Sequence, residues 1–146
     1  CPDEEVWVTV GDGGIQMTVQ ELATVVQEGL PIKIAIINNH YLGMVRQWQE
    51  MFCQGRYSGT PITSPDYLKL AEAYGVAGFR VTDKQDVVPT LAKAREIDGP
   101  VLIEFQVVDE ENVYPMVPSG GSISEMLRRP LEDDETSTEC TTEGTL

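Results

Sequence analysis

Three runs of this chain, VWVTV at 6–10, IKIAII at 32–37 and VLIEFQVV at 101–108, are short, rich in β-branched residues and nearly continuous in apolar character. Runs of that length, apolar on both faces, suit strands of a sheet that is covered by helices on each side. What lies between them sharpens the inference. From Thr18 to Glu28 apolar residues fall at Val19, Leu22, Ala23, Val25 and Val26, intervals of threes and fours that predict a helix ended by Gly29 and Pro31. A second helix is predicted from about Leu42 to Phe52, with Val45, Trp48, Met51 and Phe52 as an apolar stripe.

The turn-rich stretch 53–65 reads as a loop leading to Ser64-Pro65, a predicted N-cap and first turn for a helix with Leu68, Leu70, Ala71 and Tyr74 on its core face. GFRV at 78–81 is a weaker strand, 86–97 a helix with Pro89 in its first turn, and 123–127 a short helix. Strands alternating with helices indicate βαβ units, right-handed crossovers and a parallel sheet. The predicted class is α/β, with helices on both faces of four parallel strands.

Charge limits the partners. The formal net charge is −14, and the last sixteen residues hold six acids and no base. Residues 131–146 are therefore predicted to form an acidic, disordered tail on a domain spanning 1–130. A nucleic-acid partner is not expected, because phosphate neutralisation needs Lys and Arg gathered into a patch. No apolar run approaches the length of a membrane span, and no membrane association is expected. Cys1, Cys53 and Cys140 are odd in number and outside CxxC spacing, which suggests neither a disulfide framework nor a zinc site and makes a reducing compartment the default. The first residue is Cys, not Met, so the chain is expected to be part of something longer.

In an open parallel sheet, ligands bind outside the carboxyl ends of the strands. Gly11-Asp12-Gly13-Gly14 follows the first strand and Asn38-Asn39 ends the second, so one crossover should make them neighbours. Asp offers an anionic oxygen and Asn an amide oxygen, which with a carbonyl, waters and phosphate oxygens would complete the octahedron of Mg²⁺. Glycines beside Asp12 let backbone N–H groups approach a phosphate. Taken singly, GDGG and NN are ordinary turns; their joint placement is what points to a site. Neither GxGxxG nor GxxxxGK[ST] is satisfied, which disfavours a Rossmann cofactor and a P-loop.

GDG, 24 intervening residues and NN together resemble the cofactor motif of the thiamine diphosphate (ThDP) enzymes. More narrowly, GDGGIQMTVQELATVVQEGLPIKIAIINNHYLGMVRQWQEMF, SPDYLKLAEAYGVAGFRV and DGPVLIEFQVVDEENVYPMVPSGGSISEM resemble the large catalytic subunits of the acetolactate synthase (acetohydroxyacid synthase) family, over about Val6 to Met126. The resemblance implies an incomplete ThDP-binding domain. It makes Asp12, the Asn39 side chain and the Tyr41 carbonyl Mg²⁺ ligands, and gives Gly11, Gly13 and Gly14 to the diphosphate. Gly43 and Met44 would lie along the cofactor, and Met44, Val45 and Trp48 would shape the pocket for a second 2-keto acid. From spacing alone, Val45 and Trp48 would be a helix core face.

The implied reaction joins a two-carbon unit from pyruvate to a second 2-keto acid, giving 2-acetolactate or 2-aceto-2-hydroxybutyrate for branched-chain amino-acid biosynthesis. The activating glutamate and the FAD site of such enzymes lie in other domains, so no catalytic residue is expected in this segment and the isolated chain is expected to be inactive. A homo-oligomer, at least a homodimer, is implied, with room for a small regulatory subunit, in the cytoplasm or in the plastid of a plant or alga. Another ThDP carboligase or decarboxylase would share GDG…NN but should lack Met-Val-x-Gln-Trp at 44–48. A non-catalytic interaction fragment is the third reading.

Overall fold

The computed structural model describes residues 4–130. Four parallel strands, β1 (Trp7–Gly11), β2 (Lys33–Asn38), β3 (Ala77–Val81) and β4 (Val101–Gln106), form one sheet in the order β1-β2-β4-β3. Five α-helices connect or flank them: α1 (Asp12–Gln16), α2 (Glu21–Gln27), α3 (Gly43–Phe52), α4 (Tyr67–Tyr74) and α5 (Val87–Arg95).

The two faces carry separate cores, as runs apolar on both sides require. On one, Ile34, Ile36 and Leu102 pack with Ile15, Leu22, Tyr67 and Ala71 from α1, α2 and α4. On the other, Val81, Val101 and Ile103 meet Ala94, Val87 and Leu91 of α5. Lys33, the one charge in its run, is buried and donates from Nζ to the carbonyls of Ile97 and Gly99, 2.7 Å each, just past the end of α5. A cation among the carbonyls that follow a helix C-terminus is well placed.

Local differences from the expected elements have physical reasons. The helix predicted over 18–28 is α2, which starts only at Glu21; a further helix, α1, starts at once after β1, and a turn over 17–20 separates the two. Helix α4 is capped by Asp66, whose carboxylate accepts from the Leu68 N–H at 3.2 Å, and not by Ser64, whose hydroxyl is engaged elsewhere. Its C-terminus is Gly75 in the left-handed region. The helix predicted over 86–97 is a 3₁₀ turn, Lys84–Asp86, followed by α5 with Pro89 in its first turn. Strand β4 stops at Gln106 because its partner β2 ends opposite, at Asn38.

The chain divides into two compact units, Cys1–Asn112, which holds the sheet, and Val113–Leu146. In the second, Met116 and Leu127 form an antiparallel bridge, and Ile123–Glu125 is a 3₁₀ turn closed by a Ser122–Glu125 capping box, where a short α-helix was expected. The expected acidic tail, 131–146, lies outside the described residues. No described helix is long and apolar enough to cross a membrane.

Candidate functional site

Strands β1 and β2 run in parallel with Gly11 opposite Ile37, so the turns that follow them open on the same end of the sheet. One cleft of about 330 Å³ there is lined by Gly11, Asp12, Gly13, Gly14, Asn39, Tyr41 and Gly43. Seven of the residues singled out from sequence are thereby gathered in one place. A Cβ at Gly13 would sit 2.9 Å from a Leu42 methyl, and one at Gly43 3.0 Å from the Asn39 side-chain nitrogen, so a larger residue at either place would have to shift a side chain bordering the cleft.

Asp12 is 2 % exposed, and among the described residues no cation pairs with it. Its Oδ1 accepts from the Gly13 N–H at 2.9 Å, and Ser64 Oγ lies 3.4 Å from its Oδ2. A buried carboxylate so lightly satisfied suits a cation. The Gly14 N–H falls in the first turn of α1, where backbone donors have no partner within the helix. At five residues, α1 carries little macrodipole; individual N–H groups are what it offers.

The two asparagines divide the work. In an extended strand successive side chains point to opposite faces. Asn38 is buried and donates from Nδ2 to Glu104 Oε1 at 2.7 Å, while its Oδ1 accepts from the His40 N–H at 3.2 Å and lies 3.5 Å from Ser64 Oγ. Asn39 is partly exposed in the cleft, with Oδ1 accepting from the Tyr41 N–H at 3.3 Å. Only Asn39 has an amide turned to the cleft. His40, the residue after them, has φ 57°, a conformation that costs a non-glycine residue energy and recurs at functional sites. The segment is braced by Leu42 N–H to Thr60 O, 2.8 Å, and Ile62 N–H to His40 O, 2.9 Å.

Sequence reasoning missed the buried support beneath this cleft. Glu104 accepts from Asn38 on one oxygen and from Arg80 Nε, 2.6 Å, on the other; Arg80 also reaches Asp66 at 3.0 Å. Tyr67, fully buried, donates its hydroxyl to the Asp12 carbonyl at 3.1 Å. Burial pushes its phenol above the ordinary value, and the Asp12 charge adds to the effect. A signal was available: one acid inside VLIEFQVV, a run otherwise buried on both faces, needs a partner of its own.

Met44, Val45 and Trp48 do not line the cleft. They lie on the outer side of α3, 51, 49 and 36 % exposed, with Trp48 against Phe52 at a ring separation of 4.9 Å. The helix core face that spacing alone suggested for Val45 and Trp48 is therefore absent from the described fold. Buried in its place are Arg46 and Gln47. No group of three His, Cys, Asp or Glu side chains gathers among the described residues, so a metal here would need oxygens from a ligand as well as from Asp12, Asn39 and a carbonyl.

The family model for the C-terminal TPP binding domain of thiamine pyrophosphate enzymes matches residues 1–105. The chain belongs to that family. Its match takes in the whole cleft and all four strands but the last residue of β4. Within the family, the chain is 48 % identical to the acetolactate synthase large subunit of Corynebacterium glutamicum over 150 residues, covering 95 % of this chain and 24 % of that protein. It is 50 % identical to acetolactate synthase of Mycobacterium leprae over 144 residues, 92 % of this chain and 23 % of the relative. With the isozyme 2 large subunit of Escherichia coli K12 it shares 46 % over 129 residues, 88 % and 24 % of the two chains. The chain thus spans about a quarter of the length of these curated relatives.

Proposed function

We propose that this chain is the C-terminal part of the ThDP-binding domain of an acetolactate synthase large subunit, with residues 1–130 as the cofactor-domain portion. The supporting observation is the cleft itself: a buried carboxylate with no cation partner among the described residues, a partly exposed amide and first-turn N–H groups converge at the carboxyl ends of adjacent parallel strands.

In this reading Asp12, the Asn39 amide oxygen and the Tyr41 carbonyl hold Mg²⁺, and the ion's remaining positions go to diphosphate oxygens and water. That donor set fits the residues present, since one protein carboxylate plus ligand phosphates is the usual way Mg²⁺ is held. The Gly14 N–H, and Gly13 where its bond to Asp12 yields, face the diphosphate, with Gly11 admitting it to the turn. A cleft of about 330 Å³ is at the low end for small-molecule sites, enough for the diphosphate end of the cofactor and not for its rings. When bound, ThDP supplies the electron sink for decarboxylating a 2-keto acid. Gly43 and Met44 border the cofactor, and Met44, Val45 and Trp48 form one wall of the acceptor pocket, closed by protein outside this segment. FAD, the activating glutamate, the partner protomer and any regulatory subunit belong to the remainder of the assembly, in the cytoplasm or a plastid.

The test uses the full-length protein carrying this segment. Pyruvate should be converted to 2-acetolactate only with ThDP and Mg²⁺ present, and ThDP should raise the melting temperature in a Mg²⁺-dependent way that Asp12→Ala abolishes. A ThDP shift that survives without Mg²⁺, or in Asp12→Ala, would remove Asp12 from the metal site. Acetolactate formation failing while the shift remains would indicate a different ThDP reaction.

A further inference from the structure

The exposed apolar side of α3 has a polar counterpart built around a buried arginine. At 100° per residue, Met44, Val45, Trp48 and Phe52 fall within an arc of roughly 100°, and Arg46 and Glu50 project from the opposite side. Arg46 has no exposed surface. Its Nη1 donates to Glu50 Oε2 at 2.6 Å and to the Tyr57 hydroxyl at 3.3 Å, and its Nη2 donates to Asn112 Oδ1. Asn112 closes the triangle, donating from Nδ2 to Glu50 Oε1 at 3.0 Å. The guanidinium carbon stands 5.9 Å from the ring centres of both Tyr41 and Tyr57, which themselves meet edge to face.

Four stretches meet on this one side chain: the turn at Tyr41, helix α3, the loop at Tyr57 and, distant in sequence, the segment after β4 at Asn112. Next to it, Gln49 fastens the same loop, donating to Ser58 O at 2.9 Å and accepting from the Ser58 N–H at 2.9 Å and from Thr60 Oγ1 at 3.2 Å. Burial alone would lower the arginine's pKa, but hydrogen bonds to Glu50 and Tyr57 outweigh it, so the group stays charged. A planar fork is required here, because a lysine ammonium cannot reach Glu50, Tyr57 and Asn112 in fixed directions while lying between two rings.

We propose that Arg46 is a positioning residue for the acceptor 2-keto acid: by clamping the buried side of α3 to loop 53–62 and Asn112, it fixes where Met44, Val45 and Trp48 present themselves on the other side. The inference rests on the acetolactate synthase reading of that apolar wall. Arg46 itself touches neither substrate nor cofactor. It sets the angle of the helix that does.

The experiment compares the full-length protein with its Arg46→Lys, Arg46→Met, Asn112→Ala and Tyr57→Phe variants, the last two keeping the buried charge in case Arg46→Met does not fold. Pyruvate and 2-ketobutyrate compete as acceptors, the acceptor KM and kcat are separated, ThDP affinity is measured by titration, and amide exchange is followed by mass spectrometry in the peptide over 53–62. Expected in Arg46→Lys and Asn112→Ala are a change of about tenfold in product ratio or acceptor KM, ThDP affinity within about twofold of wild type, and faster exchange in 53–62. Tyr57→Phe should show the same pattern more weakly. Faster exchange with an unchanged product ratio and acceptor KM would reduce Arg46 to a fold element and overturn the proposal. Parallel loss of ThDP affinity and kcat with both acceptors would overturn it too, by placing the effect on the cofactor side through Tyr41. If wild type makes no acetolactate product, the functional reading fails first, and the proposal with it.

Discussion

Helices α3 and α4 are consecutive, similar in length and both amphipathic, yet they are built the opposite way round. Helix α4 turns Tyr67 and Ala71 inward, where Ala71 packs so close to the sheet that a Cβ on Gly78 would lie 3.1 Å from it. Helix α3 buries Arg46 and Gln47 and leaves Met44, Val45, Trp48 and Phe52 to solvent. One is held by apolar contact with the sheet. The other is held by directed hydrogen bonds to a loop, with its apolar side exposed. An inverted helix is costly to anchor, since every buried polar atom needs a partner. On the proposed acetolactate synthase reading, the outward side has a task that answers that cost.

The difference is tested most severely in α4. Tyr67 is fully buried and its hydroxyl supports the Asp12 carbonyl. Tyr67→Ala should lower unfolding free energy by about 4 kcal/mol, as for other large aromatic deletions, measured by urea unfolding. Tyr67→Phe isolates the hydrogen bond and should cost about 1 kcal/mol. Should Tyr67→Ala cost no more than a typical surface change, α4 would not be the core-anchored helix described.

Much of this architecture was legible. Three strand-length runs apolar on both sides, with the weaker GFRV run, pointed to the four parallel strands of the sheet. The meeting of Asp12 with Asn39 followed from strand direction alone, since consecutive parallel strands joined by a crossover open their turns at one end. What sequence could not show was which side of an amphipathic helix faces the protein. Periodicity establishes that α3 has two sides, and burial of the apolar one is only the commoner arrangement. The bond between Asn38 and Glu104 was overlooked for a related reason: it joins residues 66 apart, brought together by β2–β4 pairing that no local pattern records.

A smaller effect is expected at the N-cap of α4. Burial opposes the charge on Asp66, but hydrogen bonds from Arg80 and from the Lys69 and Leu68 backbone outweigh it and hold its pKa below the ordinary 3.8. A carboxylate lowered on folding stabilises the native state above its unfolded pKa, and that contribution is lost as pH falls through the folded one. Wild type should therefore be more stable than Asp66→Asn at pH 7, with the gap closing below about pH 3.8. A gap independent of pH from 7 down to 2.5 would show that the side chain caps α4 without its charge. No such acid opens α3, whose first turn is unbraced by any side-chain cap.

The smallest expected effect lies on the outer side of α3, and its smallness is the point. Met44 is 51 % exposed and is followed on the same side by Val45 and Trp48. Met44→Gln keeps length and helix propensity, so urea unfolding of the chain should change by no more than about 0.5 kcal/mol, as for other surface substitutions. In the full-length protein the same change should shift the preference between pyruvate and 2-ketobutyrate as acceptors, because there Met44 would face a substrate and not water. A loss above about 2 kcal/mol in the chain would mean that Met44 is core after all, and α3 would then be an ordinary helix like α4. Near-neutral stability combined with altered acceptor preference would separate the two helices by purpose: α4 folds the domain, whereas α3 is folded by it in order to be seen from outside.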